Sequence, residues 1–501
     1  MLYTLRGVAE RAGTPGAKVP APMSSPNQPL IARFPLEPSP DEMRALLDAV
    51  RDRVVAHVAS LPEQPAADVA GAAELARVLA EPEPPEGPSP AGELLDLLFD
   101  RAVPKSFNTA GPGYLAYIPG GGVVSSAVAD LISGVTNRYV GVWQAAPALV
   151  QLETNVVRWL CGIVGLPEGS GGYLATGGSL ATFTAVVAAR CEKLPPDFLK
   201  GTLYTSDQTH HAVSKAASLA GFPAENVRSI PSDGRFRLRV DLLAERVASD
   251  RAEGFTPFFT CGNAGTTNTG AVDDLAALAD LCAREGLWFH VDAAYGGFFM
   301  LTARGRAAMA GIERADSVVL DPHKGLFLPY GTGALLVREA DVLRRAHASD
   351  AAYLPHMQED PGFVDYCEVS PELSRAFRGL RVWLPVKLHG LAAFRAALDE
   401  KLDLAEHAMR ALKTMTGVEI VAEPQLSIVA FRLLKPGLDA EALDRLNRDL
   451  LARVNARQRV HLSGTVLGGA FVLRICVLSF RTHRERLDEG LDDLRAEISR
   501  S

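Results

Sequence analysis

The stretch "LWFHVDAAYGG", Leu287 to Gly297, decides the fold. An apolar run interrupted only by His290 stops abruptly at Asp292, and small residues follow. The run is too short for a helix and reads as a strand buried on both faces, with a carboxylate at its carboxyl end. The same grammar recurs on either side. "GGYLATGG" precedes the helical "SLATFTAVVAARCEKL", and "GTLYTSD" precedes "HHAVSKAASLAG". "TPFFTCG" precedes a Gly/Thr loop and the helical "DDLAALADLCAREG", and "SVVLD" follows Asp292 downstream. Strands alternating with helices predict an α/β fold with a mainly parallel sheet covered on both faces. Such sheets hold ligands at the carboxyl ends of their strands.

The rest of the chain is organised around that core. Residues 1–35, rich in Pro, Ala and Ser, read as a flexible tail. Residues 36–113 form a helical segment: Ser39 and Asp41 are cap candidates, and Met43, Leu46, Leu47, Val50, Val54 and Val58 recur at helical spacing. A proline-rich linker at 81–92 precedes a further helix, "GELLDLLFDRAV". The large α/β domain spans 114–390, and 391–501 reads as a small α+β domain, with a long helix and strands "LSIVAFRL" and "FVLRICVLSF".

Bulk properties exclude several functions. The 501 residues carry a net charge of −8 and no dense Lys/Arg run, which argues against nucleic-acid binding. No apolar stretch is long enough to span a membrane, and the first residues lack the apolar core of a secretory signal. Six scattered cysteines without a C-x-x-C pair argue against a disulfide framework or a metal site. A cytoplasmic location is expected.

Five features sit at strand ends. Asp292 is either a structural ion-pair member or a carboxylate that holds a cofactor ring nitrogen protonated, as pyridoxal phosphate requires. Lys324, in "DPHKGLFLPYGTG", follows the run "SVVL"; it is either a surface lysine or one that forms a Schiff base with an aldehyde. His323 beside it either packs or meets a phosphate. His210 is placed to stack on a flat cofactor, with His211 as its competitor. Gly177, Gly178 and Ser179 open a helix and can cradle a phosphate with backbone N–H groups. "NAGTTNTGAVDD", starting at Asn263, is a loop of small residues that lets the backbone approach a ligand.

In that order, these features resemble the group II pyridoxal-phosphate-dependent amino-acid decarboxylases, the family of aromatic-L-amino-acid decarboxylase. The resemblance runs from about Phe34 to Leu494 and rests on "HVDAAYGG", "DPHKG", "GTTNTGAVD" and "LSRAFRGLRVWLPVKLHG". It implies fold type I, with a seven-stranded sheet, and a homodimer with the active site at its interface, formed partly by 36–113. It implies pyridoxal 5'-phosphate as cofactor, Lys324 as the Schiff-base lysine, Asp292 as partner of the ring nitrogen, and His210 and Ala294 on the two ring faces. Gly177, Gly178, Ser179 and His323 are implied phosphate contacts, and Asn263 lines the same site. Tyr117, Pro119 and Trp143 are implied substrate-side residues. "MQEDPGFVDYCEVSPELSRAF" resembles the family's mobile catalytic loop, with Tyr366 protonating the α-carbon after carbon dioxide leaves. Relatives with Phe at that position tend to be aldehyde synthases.

The expected reaction is decarboxylation of an L-amino acid to its amine, aromatic substrates leading. The alternatives are oxygen-dependent conversion to an aldehyde, or an acidic or diamino-acid substrate. The chain departs from the family at Leu180, where an acid is common, at Asn263, where Thr is frequent, and at Asp321, which is Asn in some members. Gly325 replaces a Trp, so the space of that ring is either empty or filled from elsewhere, and Gly325→Trp is expected to alter substrate preference or cofactor retention.

Overall fold

The computed structural model describes residues 36–348, 360 and 362–500. The expected tail and part of the expected catalytic loop lie outside the described residues.

Strands β1 (Gly171–Ala175), β2 (Gly201–Ser206), β3 (Val227–Ile230), β4 (Thr256–Asn263), β5 (Trp288–Asp292), β6 (Ser317–Leu320) and β7 (Gly333–Val337) form one sheet in the order β1-β7-β6-β5-β4-β2-β3. Every pair from β3 through β2, β4 and β5 to β6 is parallel. β7 alone runs antiparallel, between β6 and β1. This is the expected seven-stranded, mainly parallel sheet. The central strands carry apolar side chains on both faces because both faces are covered: β6 is buried throughout, and β5 is buried up to Asp292.

Of these strands, β3 and β7 are not read from the sequence. The Gly-Thr-Gly before β7 signals a turn and hides the strand that follows.

A second sheet, antiparallel, has the order β10-β11-β9-β8, from β8 (Val418–Ala422), β9 (Ile428–Leu433), β10 (Ser463–Leu467) and β11 (Ala470–Cys476). β11 stops at Cys476, short of the expected end, although Val477 N still donates to Ser427 O at 2.9 Å. The helix Arg378–Lys413 links the two sheets and breaks at Gly390, whose φ of 72° lies in the left-handed region.

Ser39 caps the helix Pro40–Ser60 through a capping box with Glu42. No residue of that helix is buried, and Leu46 stays 51% exposed. Among the described residues, no helix is long and apolar enough to cross a membrane.

Candidate active site

A cavity of about 340 Å³ opens at the carboxyl ends of β4, β5 and β6. Its size suits a small-molecule site. Asn263, Asp292 and Asp321 end or follow those strands, and the turn Pro322–Gly325 carries His323 and Lys324 into the same space. The helix Gly178–Lys193 starts at its edge, so its unpaired N–H groups lie beside the cavity. A Cβ on Gly178 would lie 3.0 Å from Asp321 Oδ2 and 3.4 Å from Ala294 Cβ, so a side chain there would fill the cradle. The turn after β5 closes tightly: a Cβ on Gly296 would stand 2.1 Å from the Ala264 carbonyl oxygen.

Lys324 Nζ meets Asp321 Oδ2 at 2.8 Å. Burial acts to lower the Lys324 pKa, but Asp321, with Asp292 behind it, outweighs burial and holds the ammonium above the usual lysine range. The departure at Asp321 is therefore a counter-ion three residues from its lysine, a spacing that already suggests contact. The other oxygen, Asp321 Oδ1, is buried and has no hydrogen-bond partner.

His210 lines the cavity and His211 is exposed, which separates the two candidates. Ala212 N donates to His210 Nδ1 at 3.2 Å, so Nε2 carries the hydrogen. Burial lowers the His210 pKa, and Asp292 opposes it. Asp292 Oδ1 accepts from Ala294 N at 3.1 Å. Asn263 Nδ2 donates to Thr209 Oγ1 and to Asp273 Oδ2, at 3.1 and 2.8 Å. His323 places Nδ1 2.6 Å from the Thr332 carbonyl. Gly177, Gly178, Ser179 and Ala294 complete the wall. Thr176, Thr182, Thr266 and Thr267 also line it; all but Thr182 fall in stretches the sequence marks, without being singled out there.

Four expected residues are not brought to this cavity. Tyr366 is 1% exposed, its hydroxyl 3.3 Å from Thr154 Oγ1 and its ring under the Arg375 guanidinium, against the buried Glu153–Arg375 pair. Burial pushes its phenol up, away from easy proton release. It lines a different cavity, beside Arg158 and Phe363. Within one chain the hydroxyl is thus engaged by Thr154, away from the Lys324 of the same chain. Trp143 stacks on Phe363 at 3.9 Å, and its backbone N–H donates to Asp365. Tyr117 is exposed, with a left-handed φ of 51°. Pro119 is buried next to Gly120, on which a Cβ would lie 2.5 Å from the His323 carbonyl oxygen. The 117–120 segment thus lies across the Pro322–Gly325 turn, outside the cavity.

These residues fit pyridoxal phosphate. An amine, an opposed carboxylate, a flat imidazole and a helix N-terminus surround one cavity, and the small residue at Gly178 leaves room for a phosphate. Comparison with known proteins agrees. The family model "Pyridoxal-dependent decarboxylase conserved domain" matches residues 99–434. The aromatic-L-amino-acid decarboxylase of Bacillus atrophaeus is 35% identical over 463 residues, covering 92% of this chain and 96% of that protein. The phenylacetaldehyde synthase of Arabidopsis thaliana is 30% identical, covering 83% of this chain and 87% of that protein. The crystal structure of Oryza sativa TDC with PLP and tryptamine superposes with a TM-score of 0.87 at 27% identity, covering 93% of this chain and 99% of that one.

Proposed function

This chain belongs to the pyridoxal-dependent decarboxylases, and from that premise we propose that it converts aromatic L-amino acids to their amines, with Lys324 as the residue that holds the cofactor. The observation that carries the reading is the placement of Lys324, Asp292 and His210 around one cavity at the sheet's carboxyl edge. Bound there, pyridoxal phosphate supplies an electron-withdrawing ring that takes up the electron pair released when the α-carboxylate departs.

The chain's own residues do the rest. Asp292 keeps the ring nitrogen protonated, which strengthens that withdrawal. His210, with Nδ1 occupied by Ala212 N, presents its face to one side of the ring, and Ala294 leaves room on the other. The helix start at Gly178 and Ser179, with His323, holds the phosphate. Lys324 Nζ anchors the cofactor through its aldehyde carbon and recovers it when the amine leaves. Asp321 orients Nζ for both events.

Lys324→Ala is expected to abolish carbon dioxide release from L-tryptophan, L-tyrosine and L-phenylalanine, and to remove the visible band of the lysine-bound cofactor. Turnover at the wild-type rate would sink the assignment. The aromatic class is supported by the relatives, which include an aromatic-L-amino-acid decarboxylase and a TDC solved with tryptamine. The similarity to a phenylacetaldehyde synthase supports a second reading, oxygen-dependent conversion to an aldehyde. Stoichiometric oxygen uptake with ammonia release would favour it.

We also infer a homodimer built on residues 36–113. The helix Pro40–Ser60 leaves Met43, Leu46 and Leu47 exposed, and the helix Val124–Thr136 leaves Leu131, Ile132 and Val135 exposed. Light scattering that returned a monomer mass would refute it. Six unpaired cysteines support a reducing compartment, the cytoplasm.

A further inference from the structure

The pairing of charges around the cavity has to change once Lys324 is engaged. Asp292 and Asp321 are its carboxylates; Lys324, and His210 and His323 when protonated, are its cations among the described residues. Asp321 is 2% exposed, and its Oδ2 holds Lys324 Nζ at 2.8 Å while Oδ1 has no partner. A buried carboxylate that loses its cation is strongly disfavoured. The nearest replacement is His323, whose Nε2 lies 3.7 Å from the same Oδ2.

The tautomer of His323 sharpens the point. Its Nδ1 faces the Thr332 carbonyl at 2.6 Å, and a carbonyl only accepts, so Nδ1 carries the hydrogen. In the neutral ring Nε2 is then a bare lone pair, which repels both a carboxylate and a phosphate. Protonation turns it into a donor to either.

The other groups facing His323 do not supply that charge. The Tyr330 ring lies 5.6 Å away. Arg381 reaches the turn only through Thr332 Oγ1 and the Tyr330 carbonyl, at 3.0 and 3.2 Å, and its Nε is paired with Asp130 at 2.7 Å. Gly177, on the helix side, brings no titratable side chain. Burial holds the His323 pKa below its usual value, against the pull of Asp321, so the ring is neutral at pH 8 while Lys324 keeps its ammonium.

We propose that capture of the cofactor at Lys324 is coupled to uptake of one proton at His323 Nε2, so that His323 replaces Lys324 as the cation of Asp321 and becomes the donor to the phosphate. The inference rests on the function proposed above. In that step Nζ bonds the aldehyde carbon, two of its hydrogens leave with the carbonyl oxygen as water, and the remaining charge moves away from Asp321 with Nζ. The proton bound at Nε2 comes from solvent. The turn "DPHK" thus gains one positive charge, and the partner of Asp321 changes from residue 324 to residue 323.

The test is titration calorimetry of pyridoxal 5'-phosphate into the cofactor-free full chain at pH 8, in two buffers without primary amines that differ in ionisation enthalpy. Wild type is expected to take up about one proton more than His323→Gln, since contributions from the cofactor ring cancel between the two proteins. Above neutral pH the apparent wild-type affinity should fall by up to about tenfold per pH unit relative to that variant. Equal proton uptake overturns the coupling. Asp321→Asn, which removes the anion in need of a cation, should lower the uptake as well, and it serves if His323→Gln does not fold. A wild-type affinity that stays flat from neutral to alkaline pH overturns the proposal without any variant. The visible band of the lysine-bound cofactor separates the two claims: if the band forms and uptake is equal, only the coupling fails. If no band forms in wild type, the assignment of Lys324 fails and the coupling with it.

Discussion

Gly325 offers the sharpest test of how the site is packed. A Cβ there would stand 2.6 Å from Phe298 Cβ and 3.0 Å from Phe298 Cδ2, and Phe298 is fully buried. Phe298 therefore takes the space beside the lysine, and the glycine is required by that ring. Neither partner can retreat cheaply: Phe298 sits in the apolar core, and Gly325 closes the turn that aims Lys324. Overpacking of this kind costs about 1–3 kcal/mol, so Gly325→Ala should lower stability by that amount. Phe298→Ala alone should cost about 3–5 kcal/mol through the cavity it leaves. In the Phe298→Ala background, which removes the ring atoms but keeps Cβ, Gly325→Ala should cost less than in wild type, a coupling within the range for residues in contact. The assay is urea unfolding followed by tryptophan fluorescence, at one protein concentration and equal cofactor excess. Gly325→Trp, which adds the same Cβ and a ring besides, should not be recovered as folded, cofactor-loaded protein. An unchanged midpoint for Gly325→Ala, or the same loss in both backgrounds, would refute the packing argument.

Two other outcomes follow from the geometry. Tyr366→Phe should lose one hydrogen bond, to Thr154, costing about 0.5–1.5 kcal/mol, and shift the products from amine towards aldehyde if Tyr366 protonates the α-carbon. An unchanged rate and an unchanged ratio of amine to aldehyde would remove Tyr366 from the chemistry. His290, fully enclosed on β5, has its pKa pushed down to about 3 by burial. Because that value lies below the unfolded one of about 6.5, the unfolded chain binds the extra proton and stability falls as pH falls through that window. Its contribution is up to about 1.4 kcal/mol per pH unit, and His290→Phe should make the acid limb of the stability profile shallower by that slope, read from urea midpoints at pH 6.5 and 4.5.

The central strands were legible because they are buried on both faces and end in polar residues: β5 at Asp292, β6 before Asp321, β4 at Asn263. Burial on both faces leaves a continuous apolar run, and a ligand site leaves a polar stop. β7 was hidden because the glycines before it signal a turn whatever follows, and its antiparallel direction is set by pairing with β1 and β6. Aromatic residues were less legible. Trp143 suits a substrate pocket, but such a ring buries as readily against Phe363, and only tertiary contact shows its neighbours. The choice between His210 and His211 needed the helix turn that points one in and the other out.

The small sheet completes the site as well as closing the fold. Arg474, on β11 and 3% exposed, donates through Nε to the Asn268 carbonyl at 2.8 Å and through Nη1 to Ser463 Oγ at 2.9 Å. Its Nη2 reaches the Thr267 and Tyr117 carbonyls, and Tyr117 N donates back to Ser463 Oγ at 3.1 Å. Thr267 lines the cofactor cavity, whereas Tyr117 stands outside it with a strained backbone. One planar, five-donor side chain from the C-terminal sheet therefore ties the Thr267 loop and the Tyr117 segment to each other. Lysine at this position has three donors on a single atom and cannot span the same acceptors. The spacing between the Tyr117 segment and the cavity-lining Thr267 loop is thus held from the C-terminal sheet, while the large parallel sheet carries Lys324 and Asp292.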